Sequence, residues 1–198
     1  MLIDHSREKL INSAIYFANN TNYCGITKLM KLLAELDFTH FKQTGRSVTG
    51  QTYFTWKRGP VPAAFYRELN KPTNEQSKDM SNSISLSEPV PVRDQKGKKG
   101  GRIFKEIIAK RGFDPTHFSR RELDLLNTIA EDYKDDKADR MVRYSHLKSE
   151  PWKKAKSLHG LNCPIDYMLA LDGSKGSLSE KEILERKKDS EFVKQLMK

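Results

Sequence analysis

The chain has 198 residues, of which 36% are hydrophobic and 31% charged, and its formal net charge is +10 at pH 7. This length suits one domain with appendages, and the polar composition places part of it in loops or tails rather than in a core. No run reaches the roughly 20 apolar residues that span a bilayer, the N-terminus lacks the pattern of a signal peptide, and two distant cysteines make no disulfide framework. We therefore expect a cytoplasmic protein without a membrane segment.

The positive charge indicates a partner of opposite sign, either nucleic acid or an acidic protein surface, unless the lysines are simply scattered over a soluble protein. Their distribution favours a local effect. Residues 93–121 contain ten Lys or Arg residues and three acids. The positive charge is therefore concentrated in one part of the chain.

The first two predicted elements are helices. Residues 3–20 carry apolar side chains on one side, and Asp4 or Ser6 is suited to cap this helix. Residues 26–45 carry apolar side chains over much of the helix circumference, which is typical of a helix buried on several sides. Gly45 is suited to end it in the left-handed conformation.

A strand or a short hairpin is predicted next. The turn residues Gly50 and Gly59 flank the β-prone run 52–56. Pro60 and Pro62 exclude a central strand after that run, and they allow a short helix to begin at about residue 63.

The segment 70–118 is long and polar, and its order stays open. Residues 71–83 lack periodicity and are predicted as a loop, residues 84–86 as a short strand and residues 102–108 as a second strand. Between the strands, the run QKGKKGGR predicts a basic loop tip. The alternatives are a β-hairpin laid against the helices and a mostly disordered insertion.

The following part of the chain is predicted to be helical again. Ser119 and Glu122 have the spacing of a capping box, in which each side chain satisfies a backbone donor of the first turn. Two shorter helices are predicted at 140–146 and 151–156.

The chain ends in a predicted amphipathic helix over residues 179–198, behind a flexible glycine- and serine-containing linker at 171–178. The apolar side chains at its far end are Phe192, Val193, Leu196 and Met197. Such an end fits an apolar groove on a partner, so these residues are candidates for partner binding.

Spaced motif residues run through the chain in a characteristic order. KLMKLL is followed by DF, a glycine, VTG, a single Tyr and Trp, GPVP and FY, and further on by Ser-His and Trp. This order resembles the Panacea domain, the SocA-like antitoxin family of bacterial and phage toxin–antitoxin systems, over roughly residues 6–155 and closely over 28–66. The motif residues are Lys31, Asp37, Phe38, Gly45, Gly50, Tyr53, Trp56, Gly59, Pro60, Val61, His146 and Trp152.

The resemblance implies an antitoxin that binds and neutralises a cognate protein toxin without catalysing a reaction. It also implies a second mode, an adaptor that delivers the toxin to a bacterial protease. Motif residues of this kind mark either the fold or the contact with the partner. Lys57 and Arg58 lie at the predicted turn of the hairpin, where they are free to contact a partner. The toxin, the interface and the oligomeric state, a homo-oligomer included, stay open.

Few residues suit catalysis or metal binding. Asp37 and His40, one helical turn apart in the apolar stripe, can form an acid–base pair or a polar pair satisfied in the core or at an interface. His159 and Cys163 have the spacing of two metal ligands, but structural zinc needs four. The sequence carries no phosphate loop, dinucleotide or metalloprotease motif. It therefore predicts no enzyme activity, no metal and no cofactor.

The predicted fold is α+β and predominantly helical. It consists of one domain over residues 3–170, with a small β-hairpin or sheet and a basic excursion at about 70–118, followed by the linker and the appended helix. The alternative function is a nucleic-acid-binding regulator of a phage or mobile element, which uses the basic stretch 93–111. Its candidate contacts are Lys96, Lys98, Lys99 and Arg102. Neutralisation of phosphates would make its affinity fall steeply with salt concentration.

Overall fold

A computed structural model of the chain describes residues 5–70, 75–93 and 99–196. The helices in these ranges are α1 (Ser6–Asn20), α2 (Ile26–Thr44), α3 (Ala63–Asn70), α4 (Glu75–Ser83), α5 (Arg120–Asp132), α6 (Ala138–Lys148), α7 (Glu150–His159) and α8 (Glu180–Leu196). Short 3-10 helices lie at Pro115–His117 and Tyr167–Ala170. Each helix in the described part of the chain is too short or too polar to span a bilayer.

The strands are short and pair in twos. They are β1 (Tyr53–Trp56), β2 (Gly59–Pro62), β3 (Ile84–Leu86), β4 (Val90–Arg93), β5 (Lys99–Phe104) and β6 (Ile107–Ala109). Within the described ranges they form three antiparallel sheets of two strands each, β1–β2, β3–β6 and β4–β5. The fold is therefore α+β and predominantly helical, which confirms the predicted class.

Helix α2 is the centre of the domain. It contacts α1, α5, α6, β2 and the second 3-10 helix. Twelve of its 19 residues are buried, because apolar side chains occur on most sides of the helix. Gly45 ends it with a φ of 78°, and its N–H donates to the carbonyl oxygen of Phe41 at 2.7 Å. The predicted central helix and its glycine end are thus confirmed.

The predicted hairpin follows α2. Strands β1 and β2 pair antiparallel, and the exposed residues Lys57 and Arg58 form the turn. On its other edge β1 exchanges backbone hydrogen bonds with the segment 162–165. Strand β2 is therefore an outer strand, and the missing N–H groups of Pro60 and Pro62 interrupt no further pairing.

The loop predicted over residues 71–83 is wrong for most of its length, since Glu75–Ser83 form α4. Residues 71–74 lie outside the described part of the chain. Helix α4 contacts α1 and α3, and its Met80 is 1% exposed. In addition, the Lys110 amine donates to the carbonyl oxygen of Ser81 at 2.6 Å. Tertiary contacts therefore stabilise a helix that has no apolar stripe of its own.

The strand predicted at residues 102–108 consists of two strands with different partners. Strand β5 pairs with β4, and β6 pairs with β3. Between them, Glu106 forms an isolated bridge with Gly25, and the N–H of Ile107 donates to the carbonyl oxygen of Cys24 at 2.8 Å. The chain thus changes direction where it meets the loop before α2. A β-structure laid against the helices is present. Of the predicted loop tip QKGKKGGR, residues 95–98 lie outside the described residues, and the prediction is wrong for residues 99–102, which belong to β5.

The predicted cap of the first helix is wrong for Ser6. Helix α1 begins at Ser6 itself, with His5 in the N-cap position and no side-chain cap there. A Ser6 hydroxyl inside the helix cannot take the role of an N-cap, which precedes the first turn. That hydroxyl lies beside Gly50 instead. The other candidate, Asp4, lies outside the described residues.

The core consists of two clusters. The larger one joins α1, α2, α5 and the β3–β6 sheet. The smaller one lies between α2, β1, α7 and the second 3-10 helix, and its buried members are Ala34, Phe38, Tyr53, Trp152, Ala155, Ile165 and Ala170. This second cluster attaches the hairpin and α7 to the same face of α2.

Helix α8 is attached to the C-terminal end of α2. Ile183 is fully buried and lies beside Gly45. The Arg186 guanidinium donates to the carbonyl oxygen of Thr44 at 3.2 Å. The N–H of Leu178 donates to the carbonyl oxygen of Lys42 at 2.9 Å. The chain therefore contacts α2 as far as residue 186, and the division into domain, linker and helix stays a prediction.

Candidate partner-binding surface

The carboxylate of Asp37 attaches the loop after α2 to the helix. Its Oδ1 accepts hydrogen bonds from the backbone N–H groups of Val48 and Thr49, both at 2.8 Å. Its Oδ2 accepts from the Thr49 hydroxyl and, at 2.8 Å, from the Tyr53 hydroxyl. Burial raises the pKa of Asp37, and these hydrogen bonds oppose that rise. The fully buried carboxylate thus positions the start of β1 on α2.

His40 has a different set of partners. Its Nδ1 lies 2.8 Å from the carbonyl oxygen of Arg46, to which it donates, and 3.3 Å from the Thr44 hydroxyl. Among the described contacts, no hydrogen bond joins His40 to Asp37. Both side chains are buried, and each is bonded to the loop that leads to the hairpin. This arrangement matches a pair of satisfied polar groups rather than an acid–base pair.

Lys31 is a second buried polar residue of the motif. It is 4% exposed, and its amine donates to the carbonyl oxygen of Pro60 at 2.7 Å. Burial lowers the pKa of Lys31 to about 7. The amine therefore bonds strand β2 to α2 close to the hairpin turn.

Lys28 plays a similar part but was not predicted. Its amine donates to the carbonyl oxygens of Asn22, Tyr133 and Lys134 at 2.7 to 3.1 Å, and the side chain is fully buried. Burial lowers its pKa. The sequence feature that could have identified Lys28 is its position one turn before Lys31, in a helix that is apolar on most sides.

Trp152 connects α7 to the hairpin turn. The indole N–H donates to the carbonyl oxygen of Trp56 at 3.1 Å. The ring is 3% exposed, and the imidazole of His146 stacks on it with centroids 4.7 Å apart and planes 4° apart. The amine of Lys156 lies 4.8 Å from the ring centroid, in cation–π geometry. The two separate parts of the motif therefore meet at the turn.

The hairpin turn and the corner between α6 and α7 form one exposed, positively charged area, which we call the tip surface. Its exposed residues are Lys57, Arg58, Arg143, His146 and Lys156, and they are joined by Lys153, which is partly buried and lies against the carboxylate of Glu150. The hairpin, α6 and α7 together contain eight Lys or Arg residues and two acids. An open depression of about 450 Å³ lies beside His146, Trp152, Lys153, Lys156 and Ser157.

The remaining motif residues support the hairpin from within. Phe38 packs against Tyr53 with ring centroids 5.1 Å apart, and Val61 is buried in the larger cluster. Gly50 and Gly59 have φ values of 66° and 104°, which glycine adopts without strain. These residues determine the shape of the hairpin and lie away from solvent or in its turns.

The other predicted contact residues lie elsewhere or outside the described side chains. On α8, Phe192 is 62% exposed and Val193 48%. The backbone of Leu196 ends α8, and Met197 lies outside the described residues, as do Lys96 and Lys98. Lys99 and Arg102 belong to β5, and only their backbone is described.

The described residues offer no group of three or more His, Cys, Asp or Glu side chains placed to hold a metal ion. His159 and Cys163, the pair at metal-ligand spacing, contact each other directly. The Cys163 thiol donates to the carbonyl oxygen of His159 at 3.0 Å.

The fold and the site define a predominantly helical α+β domain with buried polar residues under an exposed basic turn. A family model described as antitoxin SocA-like, Panacea domain, matches residues 29–153, which is more than half of the chain. The chain therefore belongs to this family of antitoxin-like domains, and the resemblance drawn from the motif is confirmed. No curated protein and no solved structure shows significant similarity to the chain.

Proposed function

We propose that this protein is the antitoxin of a toxin–antitoxin system, which binds a cognate protein toxin in the cytoplasm and neutralises it without catalysing a reaction. Membership of the antitoxin-like family is the observation that carries the proposal. The environment of the buried polar residues agrees with a binding role. Asp37, His40 and Lys31 are bonded to the loop and hairpin of the domain itself.

The test is co-expression with the product of the neighbouring reading frame. We expect that product to stop growth when expressed alone, to be harmless beside this chain, and to co-purify with it in a fixed ratio. A toxic neighbour that this chain neither binds nor neutralises would contradict the proposal.

The end of α8 is a second candidate contact with the toxin. Phe192 and Val193 are exposed, whereas Ile183 and Arg186 hold the start of the helix on α2. A truncation after Lys188 removes the exposed apolar end and keeps both anchors. We expect it to weaken toxin binding and to leave the thermal stability almost unchanged. Full affinity in the truncated chain would remove α8 from the interface.

Delivery of the toxin to a protease is a finer form of the same function. In that case the toxin level in cells should fall when this chain is co-expressed and recover in a strain without the protease. A constant toxin level together with full neutralisation would favour simple binding.

The nucleic-acid alternative has one structural observation in its favour. Strands β4 and β5 pair antiparallel with Arg93 opposite Lys99, so two basic positions face each other in this sheet. Lys110 and Arg111, by contrast, are bonded to α4 and α1. If this alternative holds, affinity for duplex DNA should fall steeply with salt, and replacement of Lys96, Lys98, Lys99 and Arg102 should flatten that dependence.

A further inference from the structure

The tip surface unites two parts of the chain that are far apart in sequence. Its first part is the turn between β1 and β2, and its second is the corner between α6 and α7. The hydrogen bond from the Trp152 indole to the carbonyl oxygen of Trp56 joins them directly. Helix α6 also contacts β2, and α7 contacts β1. The surface is therefore a product of the fold rather than of one basic stretch.

The cations of the tip surface fall into two groups. Lys153 lies against the carboxylate of Glu150, just as Lys9 on α1 lies 2.7 Å from that of Glu122. No acidic partner for Lys57, Arg58 or Arg143 occurs among the described residues. Exposed cations without nearby acids leave a positive potential that attracts an acidic partner and orients its approach.

The backbone that presents these cations is held in place from several sides. The Lys31 amine bonds the carbonyl oxygen of Pro60 on one strand, and the Trp152 indole bonds that of Trp56 on the other. The Trp56 ring packs edge-on against Tyr66, with centroids 5.0 Å apart. A turn fixed in this way loses little conformational entropy on binding.

The surface fits an acidic protein segment better than a single-stranded nucleic acid. Single-stranded nucleic acids are bound by aromatic rings that are open to stacking. Here the ring of Trp152 is 3% exposed and is covered by His146 and Lys156. Moreover, the side chain of Leu147 is 73% exposed beside the Lys153 amine, which bonds its carbonyl oxygen. An aliphatic side chain among cations suits a partner segment that mixes carboxylates with apolar residues.

We propose that an acidic segment of the toxin binds across the tip surface and places its carboxylates against Lys57, Arg58, Arg143 and Lys156. This inference rests on the proposed antitoxin function and adds the contact site and the chemistry of the bound segment.

The test is a pair of matched charge reversals in the full chain. K57E/R58E changes the tip surface, and R120E/R121E makes the same change in net charge at two exposed residues in the first turn of α5. The control adds acids where a helix N-terminus tolerates them. We expect K57E/R58E to lower the affinity for the toxin on the order of a hundredfold and to abolish rescue of growth, since reversed charges at an interface repel carboxylates. R120E/R121E should bind like the wild type.

The possible results separate the two proposals. If the wild type neutralises no neighbouring gene product, the antitoxin function fails. If it does and K57E/R58E is as effective as the wild type, the function stands and the tip surface is wrong. Equal losses in both variants would indicate a general effect of net charge and would also overturn the inference.

A charge swap gives the decisive support. Asp→Lys and Glu→Lys changes in the toxin should include one that restores binding to K57E/R58E and weakens binding to the wild type. Labelled duplex DNA and single-stranded RNA serve as further probes. If either binds at the tip surface, loses affinity in K57E/R58E and competes with no protein, the occupant is nucleic acid and the proposal is overturned.

Discussion

The polar motif residues on α2 and the two cations that lie between the motif residues of the hairpin turn are close in the sequence but have opposite environments. Asp37 and Lys31 are buried, and their polar groups bond the loop and the hairpin. Lys57 and Arg58 are exposed at the turn that this bonding holds in place. The comparison teaches that one stretch of sequence contains two kinds of polar residue. The buried kind should control stability, and the exposed kind should control binding.

The largest effect is expected for Asp37→Ala. It leaves two backbone N–H groups and the hydroxyls of Thr49 and Tyr53 without their acceptor in the core, at a cost of about 3–5 kcal/mol. Asp37→Asn has the same shape and keeps one oxygen acceptor, so it should lose clearly less stability than Asp37→Ala. Urea unfolding measures both. A loss for Asp37→Ala as small as that of an exposed substitution would contradict the structural role of this carboxylate.

A smaller effect is expected for Trp152→Phe. The change removes the donor to the carbonyl oxygen of Trp56 and leaves space in the smaller core cluster, which together cost about 2 kcal/mol. His146→Ala is the matched change on the exposed side of the same stack and should cost at most about 1 kcal/mol. Thermal unfolding of both variants checks the order, and a reversed order would show that the stack rather than the hydrogen bond holds the turn.

Lys31→Met should alter the dependence of stability on pH. The pKa of Lys31 is about 7 in the folded protein, below its ordinary value of 10.5, so the unfolded chain binds the extra proton between these values. The free energy of unfolding of the wild type therefore gains a contribution that rises with pH from about 7 to about 10. Below pH 7 the amine is charged in the folded protein as well, so the folded state carries the full free-energy cost of burying that charge.

The measurement is urea unfolding at pH 6, 7.5 and 9. The free energy of unfolding of the wild type minus that of Lys31→Met should become more positive between pH 7.5 and pH 9, because the cost of the buried charge falls in that range. The hydrogen bond to the carbonyl oxygen of Pro60, worth about 1 kcal/mol, is absent from Lys31→Met at every pH. Lys187→Met, at an exposed lysine of α8, is the control and should run parallel to the wild type. A difference independent of pH would mean that Lys31 keeps its ordinary pKa.

Gly45→Ala should lower the free energy of unfolding by about 1 kcal/mol, because the φ of 78° at the end of α2 strains the backbone of any residue other than glycine. The new Cβ would lie 3.4 Å from Ile183, an ordinary contact, so the cost comes from the backbone. Gly112→Ala is the control, since open space surrounds that residue. Equal stability of the two variants would argue against the left-handed end of α2.

The smallest effect on stability is expected for K57E/R58E. Exposed substitutions of this kind usually change the free energy of unfolding by less than about 0.5 kcal/mol. The variant should therefore unfold like the wild type while it fails to bind the toxin. A marked loss of stability would contradict the assignment of Lys57 and Arg58 to binding rather than to stability.

Much of the fold could be predicted because its signals are local. The apolar periodicity of α2, its terminal glycine and the proline-containing hairpin are all confirmed. The capping box at Ser119 and Glu122 is present at the start of α5. These features depend on backbone conformations and neighbours a few residues away, which the sequence specifies directly.

Helix α4 was not predicted, because it lacks such local signals. The run EQSKDMSNS has no apolar stripe, and the helix depends on the burial of Met80 against other elements. The candidate site shows a similar limit. Lys57 and Arg58 were predicted at a turn, but Arg143, Lys153 and Lys156 were not assigned to the same surface. They come from helices that only the folded chain brings beside that turn.

The sequence by itself determined the class of fold, the central helix, the hairpin and the family, because periodicity, turn residues and motif order are properties of short stretches of chain. The tertiary structure alone decided which polar motif residues are buried and which are exposed. It also decided that the cations of the hairpin, α6 and α7 share one surface. The reason is that burial and charge clustering depend on packing between elements distant in sequence, which no local pattern specifies.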